Sequence, residues 1–363
     1  MFLTIVVFII ILGLIIFVHE LGHFVMAKRA GIKIEEFGFG YPPRLFGIKR
    51  GETIYSLNLL PIGGFVKIHG EDGKKKDDQD KARAFYSKSI GARAKILVAG
   101  VTMNLILAAF LLAVGFMIGL PSIIDDQESG ILKDPRVQIT QVDFDTPAAQ
   151  TGIKTGDTIK ELRFGQQVLV VNKVEQVQNF INQYQGGEIT VIIERGDQIL
   201  EKKAVPRTSY PDNQGPLGIG LARTATVAYP WYQAIAKGVV STVNLTLAII
   251  VAFAGIIWQL ITMGQAPIQI AGPVGIFDLA GQATRLGFIY ILQFTAILNI
   301  NLAILNVLPF PALDGGRLLF LGIEKIKGSP VSQKIEGFAH TAGFIILILL
   351  MIAVTWRDIV RVF

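Results

Sequence analysis

Residues 2–17 read FLTIVVFIIILGLIIF, and the next seven read VHELGHF. An apolar run of this length is a membrane span or a deeply buried helix, since a span takes about 20 such residues. Its far end carries His19, Glu20 and His23. On a helix, positions 19 and 23 lie one turn apart on the same face. Ionisable groups at membrane depth are costly and normally serve a function. H-E-x-x-H in a helix lets both imidazoles reach one zinc ion, with the glutamate placed to take a proton from the attacking water. The plain alternative is a pair of histidines at a membrane interface. The run has no basic stretch before it and no small-residue cleavage site after it, so it is expected to be retained as a span.

The remaining sequence points the same way. Of 363 residues, 51% are hydrophobic and only 17% charged, and the mean hydropathy is +0.51, more apolar than a soluble domain of this size. The net charge of +6 fits basic membrane-flanking loops. No basic face on a soluble module is present, so nucleic acid is not an expected partner. The absence of cysteine excludes disulfides, thiolate metal sites and cysteine nucleophiles. Apolar stretches recur at 2–18, 96–120, 243–261, 288–308 and 343–354. Between the first two, residues 28–95 hold 15 of the 34 basic residues, which places that loop in the cytoplasm by the positive-inside rule. Residues 125–223 change character. Strand-like runs alternate with turns, RGD at 195–197 reads as a hairpin turn, and VEQVQNFINQYQGG reads as an amphipathic helix closed by glycine. A small α+β domain on the outer side is expected there.

The basic RLLFLGIEKIKG after the fourth apolar stretch should lie inside, so that stretch should start outside. Residues 243–261 are then expected to make no net crossing. An interfacial or re-entrant helix fits, with Trp231 and Lys237 as anchors. The expected fold is a polytopic α-helical membrane protein of about four transmembrane helices, with an α+β domain inserted. Its parts are 1–124, a membrane region with the H-E-x-x-H helix; 125–223, the outer domain; 224–287, a membrane-associated helical region; and 288–363, a C-terminal membrane region.

A catalytic zinc takes three protein ligands and keeps one position open. Without cysteine, His69, His340 and Asp314 are the candidates for the third. His69 falls in a polar loop, and His340 starts the last apolar stretch. Asp314 stands in NVLPFPALDGGRLL, with two prolines before it and two glycines after it. Broken backbone at membrane depth is tolerated only where it is buried or lines a cavity. Asp314 and His23 also both end outside-to-inside segments and so share a depth. The simpler role for Asp314 is to cap the helix that follows.

These motifs together resemble the site-2 protease family of intramembrane zinc metalloproteases, of the bacterial regulator-of-sigma-E type. HELGH is similar to the first family motif and NVLPFPALDGG to the second. GFG at 38–40 and PIGGFVK at 61–67 resemble the membrane-entering β-hairpin region, and AGVTMN at 99–104 and GPVGI at 272–276 also match. The resemblance implies Zn2+ held by His19, His23 and Asp314, with Glu20 as the catalytic base. It implies substrate binding by Asn301 and Asn306, and by the hairpin residues Gly38, Phe39, Gly40, Gly63 and Gly64. Residues 142–162, VDFDTPAAQTGIKTGDTIKEL, and GPLGIGLA at 215–222 resemble a bacterial PDZ module, with room for one such domain. Its groove would take a peptide or C-terminus by strand addition, or would serve as a steric gate.

The expected activity is zinc-dependent hydrolysis of peptide bonds in membrane-protein substrates, single-span and in some cases already cut once. Anti-sigma factors and remnant signal peptides are the expected classes. The expected setting is the bacterial cytoplasmic membrane, with the PDZ domain extracytoplasmic and the lipid bilayer as a partner. A catalytically silent PDZ scaffold and a zinc hydrolase of lipids or small amides are the competing readings. The intact pair of metal motifs disfavours the first, and the strand-like 52–68 region disfavours the second.

Overall fold

The computed structural model describes residues 2–71, 73, 80–124, 132–143, 145–196, 198–211, 214–263 and 272–362. The chain divides into two compact units, one formed by Met1–Gly115 with Trp231–Phe363 and the other by Phe116–Pro230. Among the described residues, five helices are long and apolar enough to cross a membrane, as a multi-pass membrane protein requires. They are α1 (Phe2–Arg29), α2 (Ile90–Ile118), α5 (Trp231–Met263), α7 (Phe288–Val307) and α9 (Gln333–Val362).

In the first unit, α1 and α2 run antiparallel and their backbones nearly touch. A Cβ on Gly22 would lie 2.4 Å from the Ala99 carbonyl oxygen, so only glycine permits this crossing. Small residues at helix crossings are the usual device where lipid removes the hydrophobic drive between helices. Below them, β1 (Ile34–Arg50) and β2 (Thr53–Ile68) form a hairpin that doubles back on itself. Phe37 sits opposite both Val66 and Tyr55, so the first half of β1 lies between the two halves of β2. The second half of β2 is left as an edge beside α1. Phe17 and Phe24 of α1 pack on Phe37, and Ala27, Ile32, Ile34, Ile68, Phe85, Ile96 and Leu321 make a small core beneath. The aromatic and β-branched residues of 34–68 suit a half-buried sheet.

Residues 243–261, expected as an interfacial or re-entrant helix, belong to α5. It is one continuous helix of 33 residues, about 50 Å long. Gly238 presses on the backbone of Ala109 and Ala113, and Thr246, Ile250, Phe253 and Ile257 face Val101, Leu105 and Val307 across an apolar cavity of about 360 Å³. α5 therefore follows α2 downward instead of lying flat. Its near-total lack of charge makes insertion along α2 cheaper than exposure at a surface. α6 (Pro273–Leu286) returns to the starting end. Gly272 packs on Val354 and Asp358, Gly281 on Thr4, and Phe277 on Phe8. The start of α5 and all of α6 thus share the end that holds the start of α1. Residues 264–271, including Gly264, which was expected on the outer side, lie outside the described residues. So do residues 72 and 74–79 of the lysine-containing loop within 28–95.

α7 leads into the broken segment 308–313 and then α8 (Asp314–Lys327). Gly315 and Gly316 lie so close to the carbonyls of Val307, Leu308 and Phe310 that a Cβ would fall 2.1–2.4 Å from them. Ala312 takes a left-handed backbone, φ 79°, which a non-glycine residue holds only when its surroundings fix it. Here its N–H donates to His340 Nδ1 of α9 at 2.8 Å.

The second unit is the α+β element expected from the alternating strands, though it is wider at both ends than 125–223. β3 (Leu120–Ile123) already pairs with β9 (Ile219–Val227). The sheet continues in the order β3-β9-β4-β5-β7-β8 through β4 (Leu132–Val142), β5 (Thr158–Phe164), β7 (Ile189–Arg195) and β8 (Gln198–Ala204), with β6 (Gln167–Val170) on β5. α3 (Pro147–Gln150) is a single turn. α4 (Val174–Gln183) starts where Gln176 Oε1 accepts the Lys173 N–H at 3.0 Å and buries Val177, Phe180 and Ile181 against Ile139, Ile159, Leu162 and Ile189. The β7–β8 hairpin turns at the expected RGD, of which Asp197 lies outside the described residues.

Candidate metal centre and active site

Two histidines on α1 and one aspartate from the far end of the chain converge on one point. His19 Nε2 lies 3.1 Å from Asp314 Oδ2 and 3.1 Å from His23 Nε2, and His23 Nε2 lies 3.3 Å from the same Asp314 oxygen. Both rings are buried, and Asp314 is half-buried. Each position has a local cause. The four-residue spacing stacks the two rings on one face. The glycines after Asp314 let the broken segment fold tightly enough to aim its carboxylate at them. Gly100 of α2 leaves the space that the rings fill, since a Cβ there would lie 2.5 Å from His23 Nε2 and 2.7 Å from His19 Cε1.

The donor set fits a metal ion. Two atoms each 2.0–2.2 Å from a tetrahedral zinc are about 3.3 Å apart, and the three separations here match. The protonation state also asks for a cation. His23 Nδ1–H donates to the Ile96 carbonyl at 2.8 Å, so in the neutral ring the Nε2 lone pair faces the Asp314 carboxylate. A metal ion resolves that contact, and two histidines with one carboxylate and an open fourth position form a catalytic zinc set. Asp314 is the first residue of α8, while Leu313 occupies the cap position with no side-chain bond. Its carboxylate serves the histidines and not the helix end.

Glu20 lies on the next face of α1, turned toward the hairpin. Its Oε2 accepts the Val66 N–H at 3.2 Å, and its Cγ lies 3.9 Å from where a Cβ on Gly64 would be. Glu20 thus bridges the metal-ligand face and the open edge of β2. Asn306 Nδ2 approaches His19 Nε2 at 3.4 Å. The other expected binding residues divide. Gly63 and Gly64 lie on the edge beside Glu20. Gly38, Phe39 and Gly40 sit inside the sheet, where Gly38 packs on Phe65 and Ser56 and Gly40 on the Leu60 carbonyl. Asn301 is not brought to the cluster, and its amide donates to Ile297 of its own helix at 2.9 Å.

The alternative ligands are engaged elsewhere. His340 supports Ala312, as above. His69 Nδ1 is 3.0 Å from Glu35, and the Lys67 ammonium, then the His69 ring, hold the Glu35 carboxyl below its ordinary value. A cavity of about 440 Å³ lies along α8 and the start of α9, lined among others by Glu71, Arg93, Arg317, Glu324, Glu336 and His340. Arg93 pairs with Glu324 at 2.5 Å, and Arg317 pairs with Glu71. Reading the sequence marked AGVTMN at 99–104 and PIGGFVK at 61–67 by resemblance but gave no role to Gly100, the Ile96 carbonyl, the Val66 N–H or Asn104, whose Nδ2 lies 3.4 Å from His19 Nδ1.

Comparison with known proteins agrees with this geometry. Peptidase family M50 matches residues 7–350. Zinc metalloprotease RasP of Oceanobacillus iheyensis is 31% identical over an alignment covering 99% of each chain. Regulator of sigma-W protease RasP of Bacillus subtilis is 31% identical with the same coverage. A putative zinc metalloprotease of Clostridium acetobutylicum is 34% identical over 99% of this chain and 98% of its own.

Proposed function

The chain belongs to peptidase family M50 and is an intramembrane zinc metalloprotease, and from that membership and the geometry of the cluster we propose the roles of its residues. His19, His23 and Asp314 hold the zinc, and Glu20 is the general base. The observation that carries this assignment is the meeting of three ligand atoms within 3.3 Å from α1 and α8, with Glu20 alongside. When bound, zinc acidifies water and polarises a carbonyl oxygen. Glu20 accepts a proton from water as its oxygen adds to the scissile carbonyl. It returns a proton to the leaving nitrogen as the C–N bond breaks, giving a carboxylate and an amine.

A transmembrane substrate keeps its carbonyls in its own helix. To be cut it must unwind, and the lost hydrogen bonds are offset where the extended segment adds to the open edge of β2 at Gly63–Val66. The closeness of Glu20 to that edge supports this reading. Asn306 offers an amide at the same point. Asn301, turned back on its own helix, would join only if its rotamer changed. The cavity along α8, with Glu71, Arg93, Arg317 and Glu336 in its lining, supports water entry from the cytoplasmic side, where the positive-inside rule places residues 28–95.

We read the Phe116–Pro230 unit as a single PDZ module on the extracytoplasmic side of the bacterial cytoplasmic membrane. The support is a cavity of about 360 Å³ between α4 and the start of β9, lined by Gln178, Ile181, Leu217, Ile219 and Leu221. A bound peptide or C-terminus, or a gate on large ectodomains, would use it. The Bacillus relative's name, a regulator of sigma-W, favours membrane-bound anti-sigma factors as substrates here, with remnant signal peptides as a second class.

Glu20→Gln tests the assignment. The variant should keep zinc and lose about 10²-fold or more of its cleavage of a single-span reporter, and uncut partners should co-purify with it. Near-normal proteolysis would remove Glu20 as the base.

A further inference from the structure

In the motif AGVTMN at 99–104, Ala99 and Gly100 permit the close approach of α1 and α2. The last residue of the motif is fully buried and touches a proposed zinc ligand. Asn104 Nδ2 lies 3.4 Å from His19 Nδ1, the ring nitrogen that points away from Asp314. The other end of the same amide, Oδ1, is buried with no hydrogen-bond partner among the described residues.

The two histidines are supported by one helix. His23 Nδ1–H donates to the Ile96 carbonyl at 2.8 Å. Asn104 stands two turns further along α2 and meets the other ring. α1 and α2 are antiparallel, so ligands at i and i+4 are matched by supports eight positions apart, with Gly100 between them. The Ile96 carbonyl can only accept, and so it fixes the proton of His23 on Nδ1. An amide can serve either way. A ring with its proton on Nε2 would donate to Asp314 and accept from Asn104 Nδ2 at Nδ1, which suits the metal-free contacts of 3.1 and 3.4 Å. A metal ligand at Nε2 must give up its proton there, and a neutral ring then carries it on Nδ1. Nδ1–H needs an acceptor, because a buried donor left unpaired is costly. Oδ1 has no hydrogen-bond partner among the described residues, so a half-turn about the last side-chain bond of Asn104 breaks no bond there and presents Oδ1 to His19.

We infer that Asn104 is a positioning residue for zinc: its Oδ1 accepts the Nδ1–H of His19 and fixes the ring in the tautomer that offers Nε2 to the metal. The inference rests on the proposed role of His19 as a ligand. Partners of this kind orient a ligand ring and raise its basicity, and their loss typically weakens metal binding 10–100-fold.

The test is zinc affinity by chelator competition on the purified full chain in detergent, with thermal unfolding of the metal-free form alongside. Asn104→Leu keeps the volume and removes the acceptor. It should bind zinc about 10–100-fold more weakly, with the metal-free midpoint unchanged. Asn104→Asp restores an acceptor oxygen and should bind at least as tightly as the wild type. Wild-type affinity in Asn104→Leu, or an equal loss in both variants, would overturn the inference, the second result showing a packing role only. If the leucine variant does not fold, the aspartate variant still decides, since about tenfold weaker zinc binding by it would contradict an acceptor role. His19→Ala separates the two levels. Tight stoichiometric zinc in that variant would sink the ligand assignment itself. Zinc lost in His19→Ala but kept in Asn104→Leu would sink only the role of Asn104.

Discussion

Gly100 and Asp157 show how single residues set the limits of each unit. Gly100 has no side chain because two imidazole rings fill that space. Asp157 is almost fully buried, and its carboxylate takes the Arg195 guanidinium at 2.6 and 2.8 Å and the Lys154 N–H at 2.8 Å. Burial alone would raise its pKa, but the Arg195 bonds and the Lys154 N–H outweigh burial and hold the carboxyl below its ordinary value. A depressed folded pKa means stability that is present above the unfolded value of about 3.9 and lost as pH falls below it. Protection factors of the β5 and β7 amides in the full chain, corrected for the intrinsic exchange rate at each pH, should therefore fall as pH drops below about 4. Asp157→Ala should cost roughly 2–4 kcal/mol at neutral pH and flatten that acid limb. Unchanged protection at pH 7 would show that the pair contributes nothing. The metal residues were legible because His19, Glu20 and His23 share one helical turn in a place where charge is expensive. Gly100 and Asn104 were not, because their meaning depends on which helix crosses α1 and where.

At the scale of elements, period and turn chemistry identified most of the second unit. α4 and the β7–β8 hairpin depend on local pattern alone. Of the hairpin of residues 34–68, the stretch 52–68 was legible as strand and the hairpin itself was implied by the resemblance, but not its doubling back, since the second pairing of Phe37 joins residues whose register only the folded sheet decides. Hydropathy and topology conflicted over 243–261, and the structure gives part to each. α5 inserts along α2 as its composition demands, yet α6 lies back at the end where α5 began, as the charge rule demands. Cysteines placed singly at Gln233, Thr262 and Gln282 of this cysteine-free chain check this arrangement with a membrane-impermeant thiol reagent on intact cells. Gln233→Cys and Gln282→Cys should label together, and Thr262→Cys should stay protected. Labelling at Gln282→Cys only after the membrane is opened would place α6 on the opposite side and break the shared ligand cluster.

On the scale of the whole molecule, the chemistry depends on joining the two ends of the chain. His19 and Asp314 are 295 positions apart, with the entire Phe116–Pro230 unit inserted between them. Sequence could suggest Asp314 from its broken, glycine-flanked setting and its depth. Its two histidine contacts became visible only in the fold, and with them the reason that α8 begins where it does. The most direct test of the account is zinc content and affinity of the purified chain, wild type against Asp314→Asn. The wild type should hold about one zinc per chain, with His19, His23 and Asp314 as its protein ligands. The asparagine variant, which keeps the shape but loses the charge, should bind at least about tenfold more weakly and cleave correspondingly less. Stoichiometric zinc of undiminished affinity in Asp314→Asn would contradict the account.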